Sequence, residues 1–162
     1  MHWGSGDAVG HDDEMPAQIV QRNFDAYLIS TDPARLDIRE VHRFLSTEAY
    51  WAIGRPLAVQ ERAIEHSHLV AGAYSAEGEQ VGFARMVTDL ATYAWLCDVY
   101  VLADHRGGLG TALVQTVVEH PDVVGIRWQF LATRDAHRLY AKFGFAGLEE
   151  PARWMARPSP AG

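Results

Sequence analysis

The sequence predicts an α+β domain: a mixed, mostly antiparallel sheet flanked by helices, with one β-α-β crossover late in the chain. Three observations carry this. Residues 69–75 and 80–88 are apolar strand patterns joined by Ala76-Glu77-Gly78-Glu79, a hairpin turn. A third strand pattern, residues 93–101, runs into a glycine-dense turn and directly on into a helical pattern. A further strand pattern comes after that helix, which requires a crossover connection.

In chain order, residues 1–16 are rich in Gly, Asp and His without apolar period and read as a flexible leader. His2, His11, Asp12 and Asp13 have no spacing that suits a compact metal site, so no metal is expected. Residues 27–31 read as a short strand. Asp32-Pro33 ends it, and Asp32 is placed to cap the next turn of chain. Ile38, Val41, Phe44 and Leu45 have helical spacing. Residues 50–57, aromatic and holding Gly54 and Pro56, are irregular in part; residues 59–66 read as a second short helix. After the strand at 93–101, a helix is expected over 108–120, with Leu113, Val114, Val117 and Val118 on one face and Pro121 as its stop. Residues 126–133 read as a strand and 135–143 as a helix ended by Gly144. Residues 145–148 and 154–156 are candidate terminal strands. The domain thus covers 17–157, and 158–162 is a C-terminal tail.

Bulk properties narrow the function. The chain has 162 residues, enough to bury a real core as one domain, and a net charge of −7. That charge argues against a general nucleic-acid binder. No apolar run suits a bilayer span and no secretory segment is visible, so no membrane partner is expected. The single cysteine, Cys97, forms no intramolecular disulfide and reads as a buried structural thiol, in keeping with a cytoplasmic setting.

The chemistry is concentrated in residues 97–113. A strand, a glycine turn and a helix start are what a chain needs to hold a pyrophosphate. Backbone N–H groups converge on the anion, and the helix N-terminus adds unpaired donors and partial positive charge. Arg106-Gly107-Gly108-Leu109-Gly110-Thr111 is that turn. Downstream, Leu139 to Phe145 reads Leu-Tyr-Ala-Lys-Phe-Gly-Phe. Together these motifs resemble the GNAT acetyltransferase superfamily over residues 27–155. The resemblance is strongest to small bacterial members with a Tyr50-Trp51…Gly54-Arg55-Pro56 segment and a Thr133-to-His137 segment. The family loop usually reads Arg-Gly-x-Gly-x-Gly; this one is a residue short. With Gly108 and Gly110 as the paired glycines, His105 stands where Arg or Gln is usual. Thr133 replaces a common Asn at the later helix start.

The resemblance implies the GNAT acyl-CoA N-acyltransferase fold, acetyl-CoA as cosubstrate, and direct transfer to a primary amine in a ternary complex. It implies that the strand before the loop splays from its neighbour, so that main-chain groups near Val99, Tyr100 and Val101 lie beside the thioester. Arg106, Gly107, Gly108, Leu109, Gly110 and Thr111 would hold the pyrophosphate, with Thr133 and Ala136 facing the coenzyme. Tyr140 would be the general acid toward the departing sulfur. Simple alternation along 93–101 sets Tyr93, Trp95, Cys97, Val99 and Val101 on one face and Ala94, Leu96, Asp98 and Tyr100 on the other. Asp98 is then a carboxylate among apolar neighbours: a general base, an anchor for a cationic acceptor, or a structural hydrogen-bond acceptor. His137 is the weaker base candidate. Tyr50, Trp51, Arg55 and Trp95, with Tyr27 and Arg85, are the candidates for binding the acceptor, a small-molecule amine. Aromatic walls with a carboxylate suit an amine carrying apolar mass, while Arg55 or Arg85 would suit an acceptor carboxylate. Two other readings stay open: a protein or peptide N-acetyltransferase, and a non-catalytic acyl-CoA-binding regulatory domain. A homodimer, as in many family members, would form through terminal strands.

Overall fold

The computed structural model describes residues 16–158; the expected leader up to residue 15, with His2, His11, Asp12 and Asp13, and the tail from residue 159 lie outside them. A six-stranded sheet has its strands in chain order: β1 (Gln21–Phe24), β2 (Tyr27–Ser30), β3 (Leu69–Tyr74), β4 (Gln80–Thr88), β5 (Tyr93–Val101) and β6 (Trp128–Phe130). All neighbours pair antiparallel except β5 and β6, which are parallel. The expected mixed, mostly antiparallel α+β sheet is what forms. Helices α1 (Ile38–Thr47) and α2 (Leu57–Glu65) come after β2, α3 (Leu109–Val118) makes the crossover from β5 to β6, and α4 (His137–Ala141) comes after β6.

Local chemistry explains the element starts. Asp32 accepts from the Ala34 N–H at 2.9 Å and caps a 3₁₀ turn over Pro33–Arg35, and Asp37 accepts from the Glu40 N–H at 3.0 Å and caps α1. Two cores flank the sheet. Leu109, Leu113, Val114 and Val117 of α3 pack on Leu69, Ala71, Val81, Met86 and Leu96. On the opposite face Val41 and Leu45 of α1 and Ile64 of α2 pack on Val70, Phe83 and Tyr100. A long apolar stripe on α3 and a narrow one on α1 are thus each matched to one side of β3–β5.

Four features depart from the sequence reading. Strand β1 is additional: it is short and polar and pairs with β2 across the two-residue turn Asp25-Ala26, where Asp25 takes φ 49°. Strand β6 has three residues instead of eight. Helix α4 has five, continued by single-turn bonds from Phe143 N–H to Tyr140 and from Gly144 N–H to Ala141. Residues 145–148 and 154–156 form no strand: neither joins the six-stranded ladder, and Phe145 packs edge-on against Tyr140, ring centroids 6.1 Å apart. Trp154 instead packs edge-on against Phe130, ring centroids 4.8 Å apart.

Candidate active site

The centre of the site is a β-bulge. Arg85 lies opposite Cys97 and Phe83 opposite Tyr100, so Ala84 alone faces Asp98 and Val99. Asp98 absorbs the extra residue in a left-handed conformation, φ 52°. This changes the facing expected from simple alternation. Ala94 and Leu96 share the α3 core with Val99 and Val101, whereas Asp98 and Tyr100 turn toward α1 and α2. One extra residue has shifted the register of sides, and that shift delivers the Asp98 carboxylate to the segment between α1 and α2.

There Asp98 accepts three hydrogen bonds. Trp51 Nε1 donates to Oδ1 at 3.0 Å, and Arg55 Nη1 and Arg85 Nε donate to Oδ2 at 2.8 and 2.7 Å. Its side chain is 3% exposed. Burial by itself pushes the carboxyl up; the hydrogen bond from Arg55 and the charge of Arg85 outweigh it and hold Asp98 below the ordinary carboxylate range. A carboxylate so held accepts no further proton near neutrality, which speaks against the base role and for the structural alternative. Burial also pushes the neighbouring Cys97 thiol up, which keeps it protonated and non-nucleophilic. The arginines are themselves placed by others: Arg55 Nη1 also donates to Gln60 Oε1 at 2.7 Å, His42 Nε2 donates to the Arg55 carbonyl at 2.9 Å, and Arg85 Nη1 donates to Ser67 Oγ at 3.3 Å. Gln60 and Ser67 give no signal in the sequence, because residues without a motif show their role only when packed.

The strand edge beside the bulge is open. The β5–β6 ladder covers only Tyr93–Trp95 against Trp128–Phe130 and ends there. The Leu102 N–H donates to the Val81 carbonyl at 2.8 Å, so by alternation the main-chain groups of Tyr100 turn into the β4 ladder and those of Val99 and Val101 turn to the open edge. Tyr100 is therefore a core residue, stacked on Phe44 at 4.0 Å, with its backbone already paired.

At the end of β5 the glycine turn has the expected form with one correction. Positive φ falls at Gly107 and Gly108, both 105°, and not at Gly110, which lies in the first turn of α3. Among the described residues, no backbone N–H from Arg106 through Thr111 has a partner, and the first ladder bond is from Ala112 to Gly108 at 3.0 Å. Six unpaired donors therefore lie in and just before the first turn of α3, where an anion is favoured. Gly108 is needed twice over: a Cβ there would meet Phe24 Cζ at 3.0 Å. Gly108→Ala is expected to cost about 1–3 kcal/mol of stability, measured by chemical denaturation. Lys142, part of the 139–145 motif but given no role by the sequence, reaches the same turn, with Nζ donating to Thr111 Oγ1 at 3.3 Å. His105 does not point into the turn's donors; its Nδ1 is 3.1 Å from the Tyr27 hydroxyl. That contact ties Tyr27 to the loop and removes it from the acceptor candidates.

Tyr140 lies in the α3 core cluster with Leu109 and the partly buried Val99. Burial, then the neighbouring Tyr50 and Asp135, push its phenol up to about 12. Its hydroxyl has no partner among the described residues. Thr133 Oγ1 accepts from the Ala136 N–H at 3.0 Å and caps the turn that leads into α4. Tyr50 reaches over to that turn: its hydroxyl accepts from the Arg134 N–H at 3.0 Å, and the Arg134 guanidinium lies 3.7 Å from its ring centroid. The structure thus brings Tyr50, Trp51, Arg55, Arg85 and Asp98 to one face. Trp95 stands apart from them and packs against Phe130 at 6.0 Å.

Comparison with known proteins agrees with this geometry. The family model of the acetyltransferase (GNAT) domain matches residues 65–146. The crystal structure of an acetyltransferase candidate of the GNAT family from Xanthomonas campestris pv. campestris is 46% identical, with a TM-score of 0.79, and the match covers 85% of this chain and 96% of that one. A curated acetyltransferase candidate of Gibberella zeae is 34% identical over 99 residues, 51% of this chain; the match spans 56% of that protein's length. Glucosamine-6-phosphate N-acetyltransferase from Arabidopsis thaliana, 14% identical with a TM-score of 0.57 over 82% of this chain and 97% of that one, shares the fold. A sheet that opens beside a bulge, free amides at a helix start, a family model matched over residues 65–146 and a 46%-identical relative matched over most of both chains lead to one conclusion: the chain belongs to the GNAT acetyltransferase family.

Proposed function

We propose that this protein is an acetyl-CoA-dependent N-acetyltransferase that transfers the acetyl group directly to a primary amine of a small molecule, in the cytoplasm. The observation that carries the reading is the continuity between two features. The unpaired amides of Arg106 to Thr111 lie at one end of β5, and its open edge at Val99 and Val101 runs back from them toward the bulge. A pyrophosphate on the former lays the pantetheine arm along the latter, with Lys142 adding a cation at the turn and the Thr133–Ala136 turn flanking the coenzyme. A backbone N–H on that edge stabilises the oxyanion as the amine attacks the thioester carbonyl. Tyr140 donates from its unpartnered hydroxyl to the departing sulfur. With its phenol near 12, against about 8.5 for an ordinary thiol, complete proton transfer is uphill, so Tyr140 acts chiefly as a hydrogen-bond donor to the thiolate. Asp98 is a positioning residue: it holds Arg55, Arg85 and Trp51 on the acceptor side. The amine loses its proton to water.

Thiol release from acetyl-CoA, measured across a panel of small amines and basic peptides, tests the reading. Turnover confined to small amines is expected. Turnover on peptides alone, or tight acetyl-CoA binding without turnover on any amine, would replace it with the peptide-transferase or the regulatory reading.

A further inference from the structure

The cluster on the acceptor side carries two cations and one anion, Arg55 and Arg85 against Asp98. Its hydrogen-bonding capacity is also one-sided. Both Asp98 oxygens are taken by three donors. Oδ1 keeps one acceptor site, but the Asp98 side chain is only 3% exposed. The other unused groups are donors: Nε and Nη2 of Arg55, Nη2 of Arg85, and Nε2 of the fully buried Gln60, whose orientation is fixed because its oxygen accepts from Arg55. The Arg55 and Arg85 side chains keep 20% and 13% of their surface exposed, so both are reached from solvent. An ammonium has only donors and meets two guanidinium cations and one nearly sealed acceptor site here; a carboxylate finds a preformed set of charged donors, two of them on the planar guanidinium that suits its geometry. Tyr50 and Trp51, edge-on at 4.9 Å and exposed, stand beside it as an apolar wall.

We infer that the acceptor is an amino-acid-like molecule, whose carboxylate docks on the unused donors of Arg55 and Arg85 while apolar mass rests on Tyr50 and Trp51. This rests on the acetyltransferase reading for the fate of the amine, but the carboxylate site stands on its own geometry. It also separates Asp98 from a direct role toward a cationic acceptor, because the net charge around it has the wrong sign.

The test is calorimetric titration of N-acetylated phenylalanine, leucine and methionine, each against its own carboxamide, with and without coenzyme A. The acids are expected to bind roughly 10- to 100-fold tighter than the amides, as a charge-assisted pair requires. Arg55→Gln, which leaves the Arg85–Asp98 pair intact, should erase that preference. Equal affinities, tighter amides, no binding of either at millimolar concentration, or an unchanged preference in a folded Arg55→Gln protein would overturn the inference. The wild-type comparison decides it even if the variant does not fold. Acid-selective binding without transfer to any free amino acid would sink the acetyltransferase reading and leave the carboxylate site; transfer to amines regardless of a carboxylate would do the reverse.

Discussion

Tyr140→Phe is expected to lower kcat by about 10²-fold, the low end of what loss of one hydrogen-bond donor to a developing charge costs, because a thiolate is already a fair leaving group. The substitution removes one oxygen that has no partner among the described residues, so the core around Leu109 and Val99 keeps its packing and stability should change little. Acetyl-CoA affinity should also hold. The pH dependence is a second reading of the same group. With the phenol pushed up to about 12 by burial, the hydroxyl stays protonated throughout pH 6–10, and the ratio of wild-type to variant kcat should be flat over that range. Wild-type kcat in the variant under chemistry-limited conditions would reduce Tyr140 to a packing residue. A rate limb near pH 10 that vanishes in the variant would show that burial does not hold the phenol up.

Asp98→Asn should be the most destabilising conservative change on the sheet. It leaves Arg55 and Arg85, with side chains 20% and 13% exposed, facing each other without a counter-charge. Breaking one partner out of a buried pair costs about 3–5 kcal/mol. Chemical denaturation of both proteins measures it. The sign with pH comes from the lowered carboxyl. Asp98 contributes its full stability above the unfolded value of about 3.9, and that contribution is lost only as pH falls through the lower folded value. The wild-type advantage should therefore be constant from pH 8 to 5 and shrink below about pH 4. Acceptor KM should rise while acetyl-CoA affinity is unchanged. A bell-shaped rate profile that loses its acidic limb in this variant would restore Asp98 as the base.

The parts of this molecule legible in its sequence are those whose chemistry is local. The hairpin at Gly78 and the glycine turn before α3 each declare themselves by a residue that only certain backbone conformations accept, φ 86° at Gly78 and 105° at Gly107 and Gly108. The apolar stripe of α3 declares itself by period. The hidden parts depend on partners distant in the chain. The bulge at Asp98 has no signature of its own, since burial alternates along β5 straight through it, and only pairing with β4 reveals that the faces have exchanged. Strand β1 is four residues completed by β2, and its pattern is too short to register. The apolar residues at 145–148 and 154–156 resemble strands by composition, but Phe145 and Trp154 pack as side chains on Tyr140 and Phe130 without a ladder. Lys142 stands inside the motif at 139–145, and only the 3.3 Å contact with Thr111 gives it a place beside the turn.

Titration of acetyl-CoA into the wild-type protein and Gly110→Glu tests the central claim most directly. Gly110 has ordinary helical φ, and a Cβ there would come no nearer than 3.9 Å to Val101 Cγ2, so the fold accepts a side chain. A glutamate in the first turn of α3 even favours the helix. It also sets a negative charge among the six free amides. The account predicts micromolar acetyl-CoA binding to the wild-type protein and a loss of at least about 100-fold in a folded Gly110→Glu, from charge repulsion and lost close approach. Unchanged affinity in the folded variant, or no binding to the wild-type protein, would contradict it.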